Sequence, residues 1–469
     1  MMRRQGAWRE LLASGGLGRF AVVCLGVWLH AADSLATATV VPAVIRDIGG
    51  IAYVPWTISL YQIGAVVTGS AAAMLCQRAG FRRVLMGAAL VYGAGCVLAA
   101  AAPSMAVLLG GRLIQGIGGG MLVALSYVAI QQSFAEHLWG RLFGIVAVIW
   151  SAGSLLGPLI GGLFAHIDWR LTFWSFALQA ILLVALAVVL LPRPQASAAA
   201  PGKWSALPLL LLGAATLAVA EAGLSRRLGV SVAEGLAGLG LLWLAAWLDR
   251  GSDCPMLPRE TLNLRHPVGL GLFAVFALAT SATGFWAYGP LILRVMFGTD
   301  PLISGYILAG EAFAWTAGTM AVSGVRPSAA GPLIRAGSAL AVLGMAGFAL
   351  AVPSGSLAAI VLCALLQGLG FGVCWPSLVY LIVRRSGDDE ATLSSAAPGT
   401  VQRIGYSIGA AATGIAANAS GLVDGVTAGA ARAAGFWVFA GFLPVLILGL
   451  IAAWLFARPE IRSESRWGR

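Results

Sequence analysis

Four ionisable side chains stand inside long apolar runs: Asp33, Arg112, Glu311 and Arg403. An ionisable group at membrane depth is expensive, so each is a candidate for function. His30, Asp33, Ser34 and Thr37 recur at spacings of three and four, which puts them on one face of a helix. Such a polar stripe on an apolar helix suits a water-filled cavity or another polar helix. Arg112 cannot deprotonate and needs an acidic or polar partner. Glu311 lies mid-run in "SGYILAGEAFAWTAGTM", with Trp315 four residues on and on the same face. A carboxylate beside an aromatic ring suits a lipophilic cation through charge and cation–π attraction, or serves as a proton site. Arg403, in "VQRIGYSIG", has two open readings: a pair with Glu311, or a seat for an anionic group of a substrate. Trp28, Trp150, Trp286, Tyr288, Trp375 and Tyr406 are candidates to line a cavity between these groups. They compete with the reading that aromatics anchor interfaces and fill helix contacts.

The elements that hold these residues follow from composition. The chain has 469 residues, of which 59% are hydrophobic and 10% charged, with a mean hydropathy of +0.89. A soluble domain carries about 25% charged residues, so this chain cannot cover a water-facing surface. Apolar runs of about 20 residues recur throughout, each enough to cross a bilayer as a helix. They are continuous rather than alternating, which excludes a transmembrane barrel. Spans are predicted at 19–42, 54–77, 84–102, 105–133, 141–165 and 169–192. Two more follow at 204–224 and 229–248. Six more lie at 268–296, 302–324, 333–352, 356–383, 391–420 and 433–456. The expected fold is an all-α integral membrane protein with 14 transmembrane helices. Residues 1–203 form a first six-helix lobe, 204–250 two inserted helices, and 251–469 a second six-helix lobe. The alternative is twelve spans, with 204–248 a re-entrant or surface pair.

The net charge of +11 is carried almost wholly by Arg, with Lys203 the only Lys. These residues cluster in alternate short loops, and so on one side of the membrane, as the positive-inside rule expects. Nucleic-acid binding is therefore not expected, and both termini are assigned to the cytoplasmic side. Arg226 and Arg227 run against that assignment. The cysteines show no metal-ligand spacing, no Walker-type phosphate loop is present, and no enzyme constellation appears. No cofactor or metal is expected, and an ion gradient is the economical energy source. Glu221 and Glu234, near the ends of the inserted spans, are weaker candidates.

An internal repeat supports the two lobes. "LIQGIGGGMLV" and "LLQGLGFGVCW" match at an offset of 252, which places Gln115, Gly116, Gly118 and Gly120 on Gln367, Gly368, Gly370 and Gly372. Gly153 and Gly157 fall on Gly405 and Gly409 at the same offset. Parallel repeats of six spans are a transporter architecture, with the substrate path between lobes.

The motifs together resemble the major facilitator superfamily, and within it the 14-span drug:proton antiporter branch. "RLIQGIGGG" (112–120) is similar to the fourth-helix motif. "GSLLGPLIGG" (153–162) is similar to the antiporter motif of the fifth helix. "DWRLTFW" resembles the opening of the sixth helix, and "AADSLATATVVPAVIRDIGG" the first-helix motif. "AMLCQRAGFRR" resembles the loop after the second helix: Arg78, Gly80 and Arg82 fit, but Gln77 stands where the family usually has Asp. That loop acid helps latch the lobes in the family, so Gln77 implies a weaker latch. The resemblance implies that Arg112 lies near Asp33, and that Asp33, Arg112 and Glu311 carry proton coupling. His30, Thr37, Trp286, Tyr288, Trp315, Trp375, Arg403 and Tyr406 would line the substrate cavity. Gly153, Gly157 and Gly161 form a stripe expected to abut a helix of the other lobe, beside Gly162 and a bend at Pro158. The expected function is proton-coupled export of small amphipathic or cationic compounds, with symport of a metabolite as the alternative. Its expected partners are the substrate, protons and membrane lipid. A monomer in a bacterial inner membrane is expected, and a periplasmic adaptor is left open.

Overall fold

The computed structural model describes residues 16–133, 136–192, 207–222, 228–252, 255–322, 325–386, 390–422 and 427–458. Among these residues the regular structure is helical. The first lobe contains α1 (Gly16–Ile48), α2 (Val54–Ala79), α3 (Phe81–Ala100), α4 (Met105–Ser133), α5 (Glu136–Ile167) and α6 (Arg170–Leu190). The inserted pair is α7 (Leu207–Ala222) and α8 (Leu228–Arg250). The second lobe contains α9 (Pro267–Phe297), α10 (Pro301–Val322), α11 (Ala330–Ser354), α12 (Leu357–Arg385), α13 (Ala391–Ala419), α14 (Ala428–Ala440) and α15 (Leu443–Phe456). Helices α14 and α15 together make one apolar span, Ala428–Phe456.

Eleven spans among the described residues are long and apolar enough to cross a membrane. The expected fourteen exceed that number by α7, α10 and α13. Helix α7 has 16 residues, about 24 Å at 1.5 Å per residue, against a hydrocarbon core of about 30 Å. Helices α10 and α13 carry Glu311 and Arg403 in their middles. The linker predicted from "PRPQASAAAPGK" lies outside the described residues, apart from Pro192.

The repeated Gln-Gly-x-Gly stretches show how each lobe is packed. In lipid, helices gain stability by close packing, and glycine lets backbones approach. A Cβ added at Gly116 would stand 2.1 Å from Tyr61 O, and one at Gly118 2.4 Å from Tyr92 N. In the second lobe a Cβ at Gly368 would stand 2.0 Å from Glu311 O, and one at Gly370 2.3 Å from Ala341 N. Helices α4 and α12 are thus clamped in the same manner, and Glu311 occupies in α10 the place that Tyr61 holds in α2.

The glycine stripe of α5 corrects the sequence expectation. Gly153, Gly157 and Gly161 face Ala31, Ala32 and Ala36 of α1, in their own lobe. Gly405 and Gly409 face Ala279 and Thr280 of α9 in the same way. Within this motif, Pro158 meets the other lobe at Gly305 and Gly162 meets it at Leu302. Small faces weld α1 to α5, while the intervening face carries the contact between lobes. Helix α5 runs through Pro158 without interruption.

Two antiparallel seams join the lobes. In the α5–α10 seam, Ser151 and Thr316 share a hydrogen bond of 2.9 Å. In the α2–α13 seam, Ser59 Oγ donates to Ser407 O at 3.0 Å. Helix α7 packs on α2 and α13, and Leu212 and Val219 join Val66, Ile404 and Ile408 in one apolar cluster. The inserted pair therefore covers the α2–α13 seam.

One end of the bundle is closed by apolar contact between lobes. Leu35, Ala38, Val41 and Val54 of the first lobe join Phe285, Tyr288, Phe348 and Phe439 of the second in a buried cluster. At that end His166 and Asp300 pair across the lobes at 3.0 Å. Within the first lobe, Asp47 accepts from Arg170 at 2.6 Å and from Trp169 at 3.0 Å, tying α1 to α6.

Candidate functional site

Two polar clusters sit in otherwise apolar lobes. In the first, Asp33 is fully buried and Arg112 nearly so. Arg112 Nη1 donates to Asp33 Oδ2 at 2.7 Å and to Gln115 Oε1 at 3.0 Å. Its Nε donates to Thr57 O at 3.2 Å, and the guanidinium lies 4.3 Å from the Tyr61 ring centroid. Thr37 Oγ1 donates to the other carboxylate oxygen at 3.2 Å. Both oxygens of Asp33 are thereby engaged, and the cluster holds one positive and one negative charge.

The i, i+3, i+4 stripe of α1 is only partly used. His30 Nδ1 and Tyr61 OH are 2.7 Å apart, and Trp150 presents its edge to His30 at 5.4 Å. Ser34 turns away and donates to its own helix at His30 O. Trp28 also leaves the group, donating to Gln179 of α6 at 2.7 Å.

The second cluster is built around Glu311, which is also buried. Its Oε2 accepts from Trp286 Nε1 at 2.7 Å, and its Oε1 accepts from Gln367 Nε2 at 2.6 Å. Both donors are neutral, and no ion pair to Glu311 occurs among the described residues. Trp286 belongs to a cluster of rings beside the carboxylate. Trp286 tilts against Tyr406 at 5.2 Å. Trp315 stacks on Phe371 at 4.8 Å and lies 6.1 Å from Trp375.

Arg403 makes no ion pair with Glu311 among the described residues, and the Glu311 oxygens accept from Trp286 and Gln367 instead. It projects from α13 between the lobes, within electrostatic reach of His30 and Tyr61 on one side and Tyr406 on the other. Its Nη1 is buried with no hydrogen-bond partner, while the side chain as a whole is only partly buried.

Several other candidates lie elsewhere. Tyr288 is packed in the apolar cluster of the closed end, with its hydroxyl unsatisfied. The side chain of Gln77 lies outside the described residues. Arg78 is exposed. Gly80 takes φ +81°, a conformation that favours glycine, to turn α2 into α3. Arg82 donates to Leu191 O at 3.1 Å and Val188 O at 2.9 Å, so it caps α6 within its own lobe. Glu221 is exposed and Glu234 is partly buried in the inserted pair.

Three polar positions escaped the sequence reading. Tyr61 stands in "SLYQIG" with no local mark of its role; only the fold puts its ring beneath Arg112. Asp47 joins "RDIGG" to "DWR", two motifs far apart in the chain. Asp249 accepts from Met256 N and Leu257 N at 2.9 Å each, and so folds the turn that leaves α8.

Comparison with known proteins accords with this geometry. The chain is 31% identical over 469 residues to a Mycobacterium tuberculosis protein named "Probable multidrug-efflux transporter", with 96% of each chain covered. It is 24% identical to the "Multidrug resistance protein B homolog" of the same organism, over 84% of this chain and 75% of that one. Among solved structures, a D-xylose-proton symporter superposes with a TM-score of 0.65 at 15% identity, covering 94% of this chain and 97% of its own. A peptide transporter superposes equally well, with a TM-score of 0.65 at 16% identity, covering 94% and 95%. At that identity the likeness is one of fold. The family model described as Major Facilitator Superfamily matches residues 23–410. The chain is a multi-pass membrane transporter that belongs to the Major Facilitator Superfamily.

Proposed function

We propose that this protein is a proton-coupled antiporter that exports small amphipathic compounds, cationic ones among them, by alternating access. The observation that carries the reading is Glu311: a buried carboxylate held only by neutral donors, beside a cluster of aromatic rings. A proton taken up there cancels a buried charge and leaves both neutral donors in place. A proton taken up by Asp33 instead strands Arg112 as an uncompensated buried cation, which is strongly unfavourable. Asp33 therefore changes protonation state only as Arg112 finds another acceptor, which requires the first lobe to move. That requirement ties proton transfer to conformation. Gln115 and the Thr57 carbonyl already accept from Arg112 and are neutral, so neither replaces the lost counter-charge.

Export, rather than import, is supported by the relatives named for multidrug efflux. The loop charges would place the closed end outside a bacterial inner membrane, with both termini cytoplasmic. Substrate would then enter from the cytoplasmic side or the inner leaflet, and the lobes would rock about the α5–α10 and α2–α13 seams. The test is transport by purified protein in proteoliposomes under an imposed pH gradient, with a fluorescent lipophilic cation such as ethidium. Antiport predicts substrate flow opposite to proton flow, and Asp33→Asn removes it. Co-directional flow would establish the symport alternative, and flow indifferent to the gradient would sink both.

A further inference from the structure

The charges of the central region do not cancel in pairs. Asp33 and Arg112 neutralise one another, and both oxygens of Asp33 are engaged. Glu311 has both oxygens on Trp286 and Gln367. His30 is bonded to Tyr61. Arg403 is left over: its Nη1 is enclosed and accepted by nothing. An enclosed guanidinium nitrogen without an acceptor costs free energy, and hydrogen bonds to charged groups are among the costlier ones to leave unmade. In a membrane protein this cost is larger still.

The surroundings suit a ligand. Arg403 faces the other lobe across the seam rather than packing inside its own. Tyr127, which is within its electrostatic reach, is 42% exposed, so this region opens on one side. On the other side stand Tyr406 and, against it, Trp286. A molecule with an aromatic body beside these rings would set an acidic group on the guanidinium, where two parallel N–H donors match the two oxygens of a carboxylate.

We infer that Arg403 is an anion-binding subsite, and that the transported compounds include aromatic molecules carrying a carboxylate. The inference rests on the transporter reading above and narrows its substrate class. The subsite also explains why arginine, rather than lysine, stands here. A point charge would bind an anion, but the planar fork orients it.

The test uses 1-pyrenebutyrate, its methyl ester, and a pyrenebutyl-trimethylammonium probe, with binding to the purified full-length chain read by energy transfer from tryptophan. In the unaltered protein the carboxylate should bind at least about tenfold tighter than the ester, as expected of a charge-assisted hydrogen bond in an enclosed site. Arg403→Gln should remove that advantage and leave ester affinity unchanged. Arg403→Lys should restore part of it. Equal affinity of acid and ester for the unaltered chain would overturn the inference without need of any variant, so a misfolded variant cannot shelter it. An unchanged advantage in Arg403→Gln, or equal losses for acid and ester, would also overturn it. These are equilibrium measurements without a pH gradient. Failure of proton coupling would therefore leave the acid-to-ester ratio intact, and a ratio of one would leave the transport reading standing.

Discussion

The two lobes share one packing scheme and carry different chemistry at the same place. Gly116 is pressed on the carbonyl of Tyr61, and Gly368 on the carbonyl of Glu311. Gln115 and Gln367, the residues just before these glycines, both reach a charged group: Gln115 accepts from Arg112, while Gln367 donates to Glu311. The first lobe therefore holds a closed ion pair over a phenol ring. The second holds one carboxylate, with its matching position on α12 occupied by Ala364 rather than an arginine. Repetition preserved the backbone approach that glycine permits, while the polar side chains diverged. A transporter built this way has one site whose charge is locked by a neighbour and one whose charge is not.

The sharpest way to break this comparison is to remove the pair. Asp33→Asn should abolish gradient-driven transport and destabilise the protein by about 3–5 kcal/mol, because Arg112 is left buried without its counter-charge. Arg112→Gln should do much the same. Thermal unfolding in detergent and proteoliposome flux measure the two effects. The double variant Asp33→Asn, Arg112→Gln then separates stability from chemistry: it should regain most of the stability and none of the transport. If it transports, the pair is a packing element and the proton reading of Asp33 fails.

Glu311→Gln should be gentler on the fold, since an amide still offers an oxygen to Trp286 and no charge is stranded. Its flux under a pH gradient should fall by about tenfold, within the range of ordinary coupling free energies, and its remaining flux should depend less on pH. Flux and pH profile equal to those of the parent would place Glu311 among structural hydrogen-bond groups.

The welded small faces give a matched pair of tests. Gly157→Leu and Gly409→Leu drive side chains onto the backbones of α1 and α9, where an added Cβ would already stand 2.7 Å from Ala32 O and 2.2 Å from Thr280 O. Each should cost about 1–3 kcal/mol or more by overpacking, seen as lower yield and melting temperature. A variant that inserts and melts normally but fails to transport would show that α1 and α5 slide during the cycle, against the present reading of a rigid weld.

The smallest effect is expected at the closed end. His166 and Asp300 pair across the lobes, but His166 is about half exposed. An exposed pair is worth about 1 kcal/mol or less. His166→Ala should leave melting nearly unchanged and raise the accessibility of Leu302→Cys, a smaller side chain on the same contact, to a membrane-impermeant thiol reagent. No change in labelling would mean that the apolar cluster alone closes this end.

The membrane character, the approximate span positions and the duplication were legible in the chain because they are local or periodic properties. Hydropathy over 20 residues needs no knowledge of neighbours, and Gln-Gly-x-Gly is visible twice. The approach of Arg112 to Asp33 was anticipated by resemblance, since 79 residues separate them and spacing alone says nothing of the distance. The stripe of Gly153, Gly157 and Gly161 was read correctly as a packing face and assigned to the wrong neighbour. A smooth face announces that a helix will approach; it does not say which. Tyr288 was grouped with the cavity by type, and the fold buried it in the apolar cluster of the closed end, with Phe285, Phe348 and Phe439.

What the sequence determined by itself is the solvent this protein lives in, the rough length of its helices, the repeat, and the short roster of side chains too polar for that solvent. Each follows from side-chain chemistry and helical period. The tertiary structure alone decided which of those side chains are paired: Asp33 with Arg112, Glu311 with two neutral donors, and Arg403 with its Nη1 unmatched among the described residues. Pairing depends on the mutual rotation and depth of helices far apart in the chain. Those are set by where glycines allow backbones to meet, which is a property of two surfaces at once.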